Sequence, residues 1–378
     1  MFLEERKYRF FSYIEIFLFI IIGFSPLFSQ YLNVFFVITL IFINIKFNKE
    51  INTNKILTLF IIIILFVINL SRDFVYYHTF SLLDFYFILT FFLGLLISEK
   101  YTQREFFILL ERIIFILAIF SLVGVFLYTF LPNLVNKFPR YNYYHTTHIT
   151  SYFHNFLISQ GEILKRNAGI AWEPGAFQFI LNLGFYSYLK YNSKYNYTHL
   201  LIYLISIVST LSSTGLIILA SIIFLFFGKN KKLRYLVIVA LILLFPLIQQ
   251  IIEKQAAFKF NEANMFIRFN PLITAFQVGK SHLIGIGNVS FEKNYINEYQ
   301  YPWDSYGQIF LRYGYPLFTM ILIFFSRILK KDLSLFAIVF FTFLTENIWF
   351  FPIITIIYFY SFENFNDEGI KNENTMVN

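Results

Sequence analysis

Apolar runs of about 15–20 residues recur along this chain, and they constrain its fold more than any single motif does. Runs that long read as membrane-crossing helices. Charged residues make up 14% of the 378 residues, against roughly 25% in ordinary soluble domains. The mean hydropathy of +0.63 points the same way. The sequence therefore predicts an all-α, polytopic membrane helical bundle, with one transmembrane domain over 1–361 and a polar, cytoplasmic, disordered tail over 362–378. The 54 Phe and 27 Tyr suit lipid-facing and interfacial positions. The chain has no cysteine, which excludes disulfides and thiolate metal sites. The net charge of +8 reads as an orientation signal and does not require a nucleic-acid partner. A basic start at Arg6, Lys7 and Arg9 precedes the first apolar run, but no small-residue cleavage site follows, so that run reads as an uncleaved helix.

Spans are expected near 11–28, 31–45, 56–70, 80–97, 113–131, 173–189, 199–212, 213–227, 235–251, 307–326, 333–346 and 349–361. The stretch 199–227 reads as two spans turning at Ser212-Ser213-Thr214-Gly215, or as one long tilted helix. With the N-terminus inside, 19 of the 30 Lys and Arg fall in inside segments, and the short outside turns hold only Arg72. That alternation fits twelve spans with both termini cytoplasmic. Two long outside loops remain, about 132–172 and 252–306. Loops of that length in a compact protein are usually functional.

The first loop ends in Arg166-Asn167-Ala168-Gly169-Ile170-Ala171-Trp172-Glu173-Pro174-Gly175 and runs into an apolar helix. Pro174 fits the first turn of a helix, where the N–H groups lack intrahelical partners anyway. Glu173 then sits at the mouth of a membrane helix, where ionisable groups are costly and usually functional. Earlier in the loop, His145, His148 and His154 have spacings of three and six, with no carboxylate among them. In the second loop, residues 253–279 suit a helix on the membrane surface. Arg268 and Gly279 are eleven apart, three turns plus about 20°, and share a face if Pro271 does not restart the helix. His282, Gly285-Ile286-Gly287 and Tyr301-Pro302-Trp303-Asp304-Ser305-Tyr306 follow, then a span with Arg312 in its first turns. The Gly-Ile-Gly lacks the third glycine and the context of a dinucleotide fingerprint.

Each candidate has a structural alternative. Arg166 can snorkel to the interface, Arg268 can be a solvated surface charge, and Arg312 can bond a helix carbonyl. Glu173 can pair with an arginine, and His282 can be structural. What favours function is convergence. Each long outside loop brings an arginine to one membrane face and then enters a helix whose N-terminus points outward. Guanidinium groups and helix N-termini both suit phosphate oxygens. Trp172 and Trp303 suit sugar rings, and Glu173 or Asp304 suits a general base acting on a hydroxyl.

Arg166-x-x-Gly169-x-x-x-Glu173-Pro174-Gly175 resembles the bacterial O-antigen polymerases (Wzy type). So do Leu211-Ser212-Ser213-Thr214-Gly215, the stretch from Arg268 through His282-Leu283-Ile284-Gly285-Ile286-Gly287, and Ser305-Tyr306-Gly307 leading to Leu311-Arg312-Tyr313-Gly314. The resemblance implies a metal-independent integral-membrane glycosyltransferase of the inner membrane, without a cofactor, acting in surface polysaccharide and lipopolysaccharide biosynthesis. Such enzymes join undecaprenyl-diphosphate-linked repeat units, donor and acceptor, at the periplasmic face. A chain-length regulator and a flippase are the expected partners, besides membrane lipid. Essential arginines of the family carry over to Arg166 and Arg268; the spacing from Arg268 to Gly279 matches a family loop motif, whereas Arg166 does not repeat it. Catalytic candidates are Glu173, Arg268, Arg166 and Asp304. Substrate-binding candidates are Arg166, Arg268, Arg312, Trp172, His282 and Trp303. The related ligases use a His late in the second loop, where this chain has Asp304-Ser305. The alternatives are a ligase or related glycan transferase and, from another class, a lipid-linked oligosaccharide flippase.

Overall fold

The computed structural model describes residues 2–27, 29–45, 52–143, 146–150, 154–158, 166–192, 195–227, 262–299 and 301–363; at 2–9, 30, 141–143, 146–148, 156–158, 227, 262–269 and 297 it describes the backbone path alone. The helices, in chain order, are α1 (Phe2–Phe24), α2 (Gln30–Asn44), α3 (Thr53–Tyr77), α4 (Leu82–Lys100), α5 (Gln103–Phe130), the single turn α6 (Pro132–Val135), α7 (Pro174–Tyr191), α8 (Tyr197–Ser209), α9 (Ser213–Phe227), α10 (Glu262–Gly279), α11 (Ser305–Lys331), α12 (Leu333–Phe343) and α13 (Pro352–Tyr360). Short helical turns span Asn288–Ser290, Phe291–Tyr295 and Ile296–Glu298.

Local sequence explains where the helices start. Ser29, Asn52, Ser81, Asn196 and Asp304 stand just ahead of helices and accept first-turn N–H groups, as N-caps do. Thr102 and Glu105 form a reciprocal capping box on α5. Pro174 and Pro352 open α7 and α13.

Helices α3, α4, α5 and α11 are long and apolar enough to cross a membrane. Shorter apolar helices occur at Phe10–Phe24, Tyr31–Asn44, Tyr197–Ser209, Ser213–Phe226 and Leu333–Phe343. This is the make-up of a helical membrane protein. The expected span 235–251 lies outside the described residues. The stretch 199–227 forms two helices, broken at Thr210–Ser212, where Leu211 takes φ 51°. The first long loop carries a small antiparallel sheet, which the hydropathy pattern did not indicate. Its strands are β1 (Arg140–Tyr143), β2 (Thr146–Thr150) and β3 (Asn155–Ile158), in the order β1-β2-β3. Arg140 faces Ile149, and Thr147 faces Ile158.

Helix α7 is the axis of the bundle. Every residue from Pro174 to Leu189 is buried. Tyr188 stacks on His199 near the start of α8, while Asn167, ahead of α7, bonds Ser209 at its end. Helix α8 therefore runs antiparallel to α7. Gly215 lies against Gln178 and Phe226 against Tyr186, so α9 turns back parallel to α7. Polar residues follow α7 at i, i+4 spacing: Gln178, Asn182, Tyr186 and Lys190. Asn182 donates to the Gly215 carbonyl at 3.3 Å, and the Tyr186 hydroxyl donates to Asp332 at 2.6 Å. Such interhelical bonds hold helices together where no hydrophobic force can.

Several ion pairs lie at one end of this bundle. Lys55 pairs with Glu99 at 2.7 Å and Glu363 at 2.9 Å, Lys100 pairs with Glu15 at 2.7 Å, and Lys190 pairs with Asp332. These are among the lysines that the charge alternation in the sequence expects on the cytoplasmic side. Of the tail expected over 362–378, the first two residues are held against the bundle: Phe362 lies under the Arg327 guanidinium and Glu363 accepts from Lys55. Residues 364–378 lie outside the described residues.

At the opposite end, α11 is kinked, and the Gly-Ile-Gly segment repairs the kink. Pro316 has no N–H, so the Arg312 carbonyl lacks its helical donor. Gly314, at φ 71° and ψ −161°, turns the next N–H out of the helix. Ile286 donates to the Leu311 carbonyl at 2.8 Å, Gly287 to the Arg312 carbonyl at 3.0 Å, and the Tyr315 N–H donates to the Leu283 carbonyl at 3.0 Å. Irregular backbone is tolerated in a membrane protein when protein groups satisfy it in this way. A side chain at Gly314 would overlap Leu283 backbone in a conformation that only glycine adopts readily. Gly314→Ala should lower stability by about 2 kcal/mol or more, read as thermal unfolding of the purified protein in detergent. A wild-type melting profile would mean that the kink relaxes at no cost.

Candidate functional site

The approach to α7 is fixed by buried polar bonds. Arg166, half-buried, donates Nε to the Thr210 carbonyl at 3.3 Å. Asn167 is fully buried and donates Nδ2 to the Ser121 and Ser209 hydroxyls at 3.0 and 2.8 Å. Asn155, at the start of β3, donates to the Ile170 carbonyl at 2.8 Å. Gly169, at φ 50°, passes over the Phe177 ring so closely that a Cβ would overlap it. Segment 166–171 is thereby seated on α5, on the α8–α9 turn and on the first turns of α7.

Trp172 and Glu173 end this segment. The Trp172 ring stacks on Phe24 of α1, with centroids 5.9 Å apart, and meets Phe351 edge-on at 5.5 Å. Its indole N–H donates to Glu173 Oε1 at 3.0 Å. Glu173 stands ahead of α7, half-buried, and its carboxylate does not cap the helix. Trp172 thus acts here as the holder of Glu173, with one ring face already taken by Phe24.

The start of α11 lies beside this mouth. Ser305 donates its hydroxyl to the Glu346 carbonyl at 2.6 Å and accepts the Ile348 N–H at 3.0 Å. The Glu346 side chain extends to α7, where a Cβ on Gly175 would overlap its Oε1. The loop between α12 and α13 therefore joins the mouth that carries Glu173 to the one that carries Asp304. Asp304 is itself engaged, because Oδ1 accepts the Gly307 N–H at 2.6 Å as the cap of α11. Burial pushes its carboxyl up to about 6, against the backbone N–H groups of Gly307 and Tyr306 that favour the charged form. The helix starts expected to receive phosphate thus face carboxylates of the protein, which repel a second anion.

The other candidates lie apart. Arg312 is buried, donates to Asn288 Oδ1 at 2.8 Å and sits 4.0 Å from the Phe291 ring centroid. Asn288 also donates to Asp84 Oδ1 and to the Tyr313 hydroxyl, each at 2.6 Å, and Tyr313 donates to the same Asp84 oxygen at 2.8 Å. Next to this group, Asp73 accepts the Val289 N–H at 3.0 Å and Arg72 donates to the Gly285 carbonyl. No family model, curated protein or solved structure matches the chain. The chemistry of the site therefore has to be read from its own residues.

His282 is exposed, with Nδ1 beside the Ser281 hydroxyl at 3.0 Å and the Val278 carbonyl at 3.1 Å. Trp303 is exposed and packs at a tilt on Tyr301, with centroids 4.9 Å apart. Arg268 lies on α10, which runs through Pro271 without a break; its side chain is outside the described residues. Gly279 of the same helix allows close approach, since a Cβ there would stand 2.7 Å from the Phe310 ring. Among the described residues, no group of three or more His, Cys, Asp or Glu is arranged to hold a metal ion.

The structure thus brings Arg166, Trp172, Glu173 and Asp304 to one end of α7 and adds Glu346, which the sequence did not single out. Arg312 belongs to a separate network with Asp84, Asn288 and Tyr313. A carboxylate in an otherwise apolar run was the available signal in both cases.

Proposed function

We propose that this chain is an O-antigen or other surface-polysaccharide polymerase, a metal-independent glycosyltransferase that joins undecaprenyl-diphosphate-linked units at the periplasmic face of the inner membrane. The observation that carries the reading is the junction of the α7 and α11 mouths through Glu346 and Ser305. One end of the bundle then holds a half-buried carboxylate, Glu173, next to the segment bearing Arg166, and α10, bearing Arg268, packs on α11. The order of motifs from Arg166 to Gly314 supports the same family. In this reading Arg166 and Arg268 bind the donor diphosphate, and their charge stabilises it as a leaving group. Glu173 takes the proton of an acceptor hydroxyl as its oxygen bonds to the anomeric carbon and the bond from that carbon to the diphosphate oxygen breaks. Trp303 offers a stacking face to a sugar ring. With twelve spans, both termini lie in the cytoplasm.

A transporter reading draws on Asp73, Asp84, Arg72 and Arg312, ionisable groups inside helices that often mark transport paths. Here their bonds tie the second loop to α3, α4 and α11, which suits a scaffold better.

A surface-glycan ladder on a gel, from cells with and without the gene, separates the readings. A polymerase predicts collapse to a core bearing one repeat unit. Loss of attached glycan with long lipid-linked polymer retained means a ligase, and single units trapped at the cytoplasmic face mean a flippase. Arg166→Ala and Arg268→Ala should each collapse the ladder while the protein still inserts. Wild-type chain lengths from both variants would refute diphosphate binding by these residues.

A further inference from the structure

We propose that Glu346 is a positioning residue for the glycosyl transfer, one that sets where Glu173 stands; this rests on the reading above. Glu346 belongs to the loop between α12 and α13, far in sequence from both arginine-bearing segments, yet it touches both mouths. Its backbone is fixed. Its N–H donates to the Thr342 carbonyl at 2.8 Å, and its carbonyl accepts the Ser305 hydroxyl. The neighbouring Ile348 N–H donates to the same hydroxyl, and Trp349 is buried between Phe66, Phe87 and Tyr313. Only 6% of Glu346 is exposed, so its carboxylate is held at the first turn of α7 and is not free in solvent.

That position is favourable for an anion, because the first-turn N–H groups of a helix carry partial positive charge. It also explains Gly175. Any side chain there would occupy the space of Glu346 Oε1. Gly175 lies two residues after Glu173, and α7 is buried from Pro174 to Leu189. A carboxylate clamping the first turn therefore fixes the backbone from which Glu173 projects. Trp172 fixes the Glu173 side chain from the other side. A displacement of about 1 Å in a reacting group can reduce turnover on the order of 100-fold.

The test compares wild type, Glu346→Ala, Glu346→Gln, Gly175→Ala and the double variant Gly175→Ala/Glu346→Ala, purified in nanodiscs with lipid-linked repeat units. Glu346→Ala should lower kcat at least ~10-fold with donor KM within about twofold, the signature of lost positioning. Glu346→Gln, which keeps the shape and an acceptor oxygen, should recover most of that loss. Gly175→Ala should lower kcat as well, and the double variant should be no worse than Glu346→Ala, because the two residues act through one contact. Multiplicative losses in the double variant, or a Glu346→Ala effect confined to KM, would overturn the proposal. Thermal melting of the same proteins reads the contact without reference to activity. Non-additive melting shifts with no glycosyl transfer by wild type would overturn the polymerase reading while keeping the contact; additive shifts would refute the contact itself.

Discussion

Glu173→Gln should abolish polymer formation, with turnover down on the order of 10²–10⁴-fold, while the protein inserts and melts as wild type does. Folding should survive because the Glu173 side chain does not cap α7, and a glutamine oxygen can still accept the Trp172 indole N–H. What the amide loses is the ability to take a proton. Asp304, the other carboxylate considered from sequence, is a weaker base candidate. It is only 5% exposed, and one of its oxygens is committed to the Gly307 N–H. Glu173 is half-buried and makes its 3.0 Å bond through one oxygen, so it is better placed to meet a hydroxyl from outside. The measurement is turnover of lipid-linked units by the purified variant. Unchanged turnover would reduce Glu173 to the partner of Trp172 and remove it from the chemistry.

Much of this mouth is legible in the sequence. Pro174 marks the helix start because its missing N–H is harmless there, and the Ser/Asn/Asp residues ahead of apolar runs mark others in the same way. What escapes is whatever depends on distant segments meeting. Nothing near Glu346 announces contact with Gly175, which lies more than 170 residues earlier. Gly285-Ile286-Gly287 lacks the pattern of a nucleotide motif, and the sequence does not announce what it does: the Ile286 and Gly287 N–H groups supply backbone donors to a helix opened by Gly314 and Pro316. The role of Trp172 also changes with context. As a lone aromatic it suggests a sugar platform, but Phe24 at the end of α1 and Phe351 just ahead of α13 pack against it. The break in 199–227 was legible as Ser-Ser-Thr-Gly, though the turn falls slightly earlier, at Thr210–Ser212.

Asn288→Leu should destabilise the protein by about 3 kcal/mol, the second large effect, although Asn288 is remote from Glu173 in the bonding scheme. Asn288 is fully buried, and its amide serves three groups on two helices: Asp84 of α4, and Arg312 and Tyr313 of α11. Single interhelical hydrogen bonds in membranes contribute only about 0.6 kcal/mol on average. The larger loss is expected because two of the three partners are ionisable and lie in a buried setting. Leucine supplies no acceptor for the Arg312 guanidinium, which would keep its contact with the Phe291 ring but lose its bond to Asn288. It supplies no donor for Asp84, which would keep the Tyr313 hydroxyl. The α11 kink should loosen too, since residue 287 feeds the Arg312 carbonyl from the adjacent position. Thermal unfolding in detergent measures the loss. The same variant separates two roles for Arg312. If Arg312 serves as scaffold, stability and turnover should fall together, and the activity per folded molecule should stay near wild type. A variant that melts like wild type but transfers no sugar would instead make Arg312 and its network part of the substrate site.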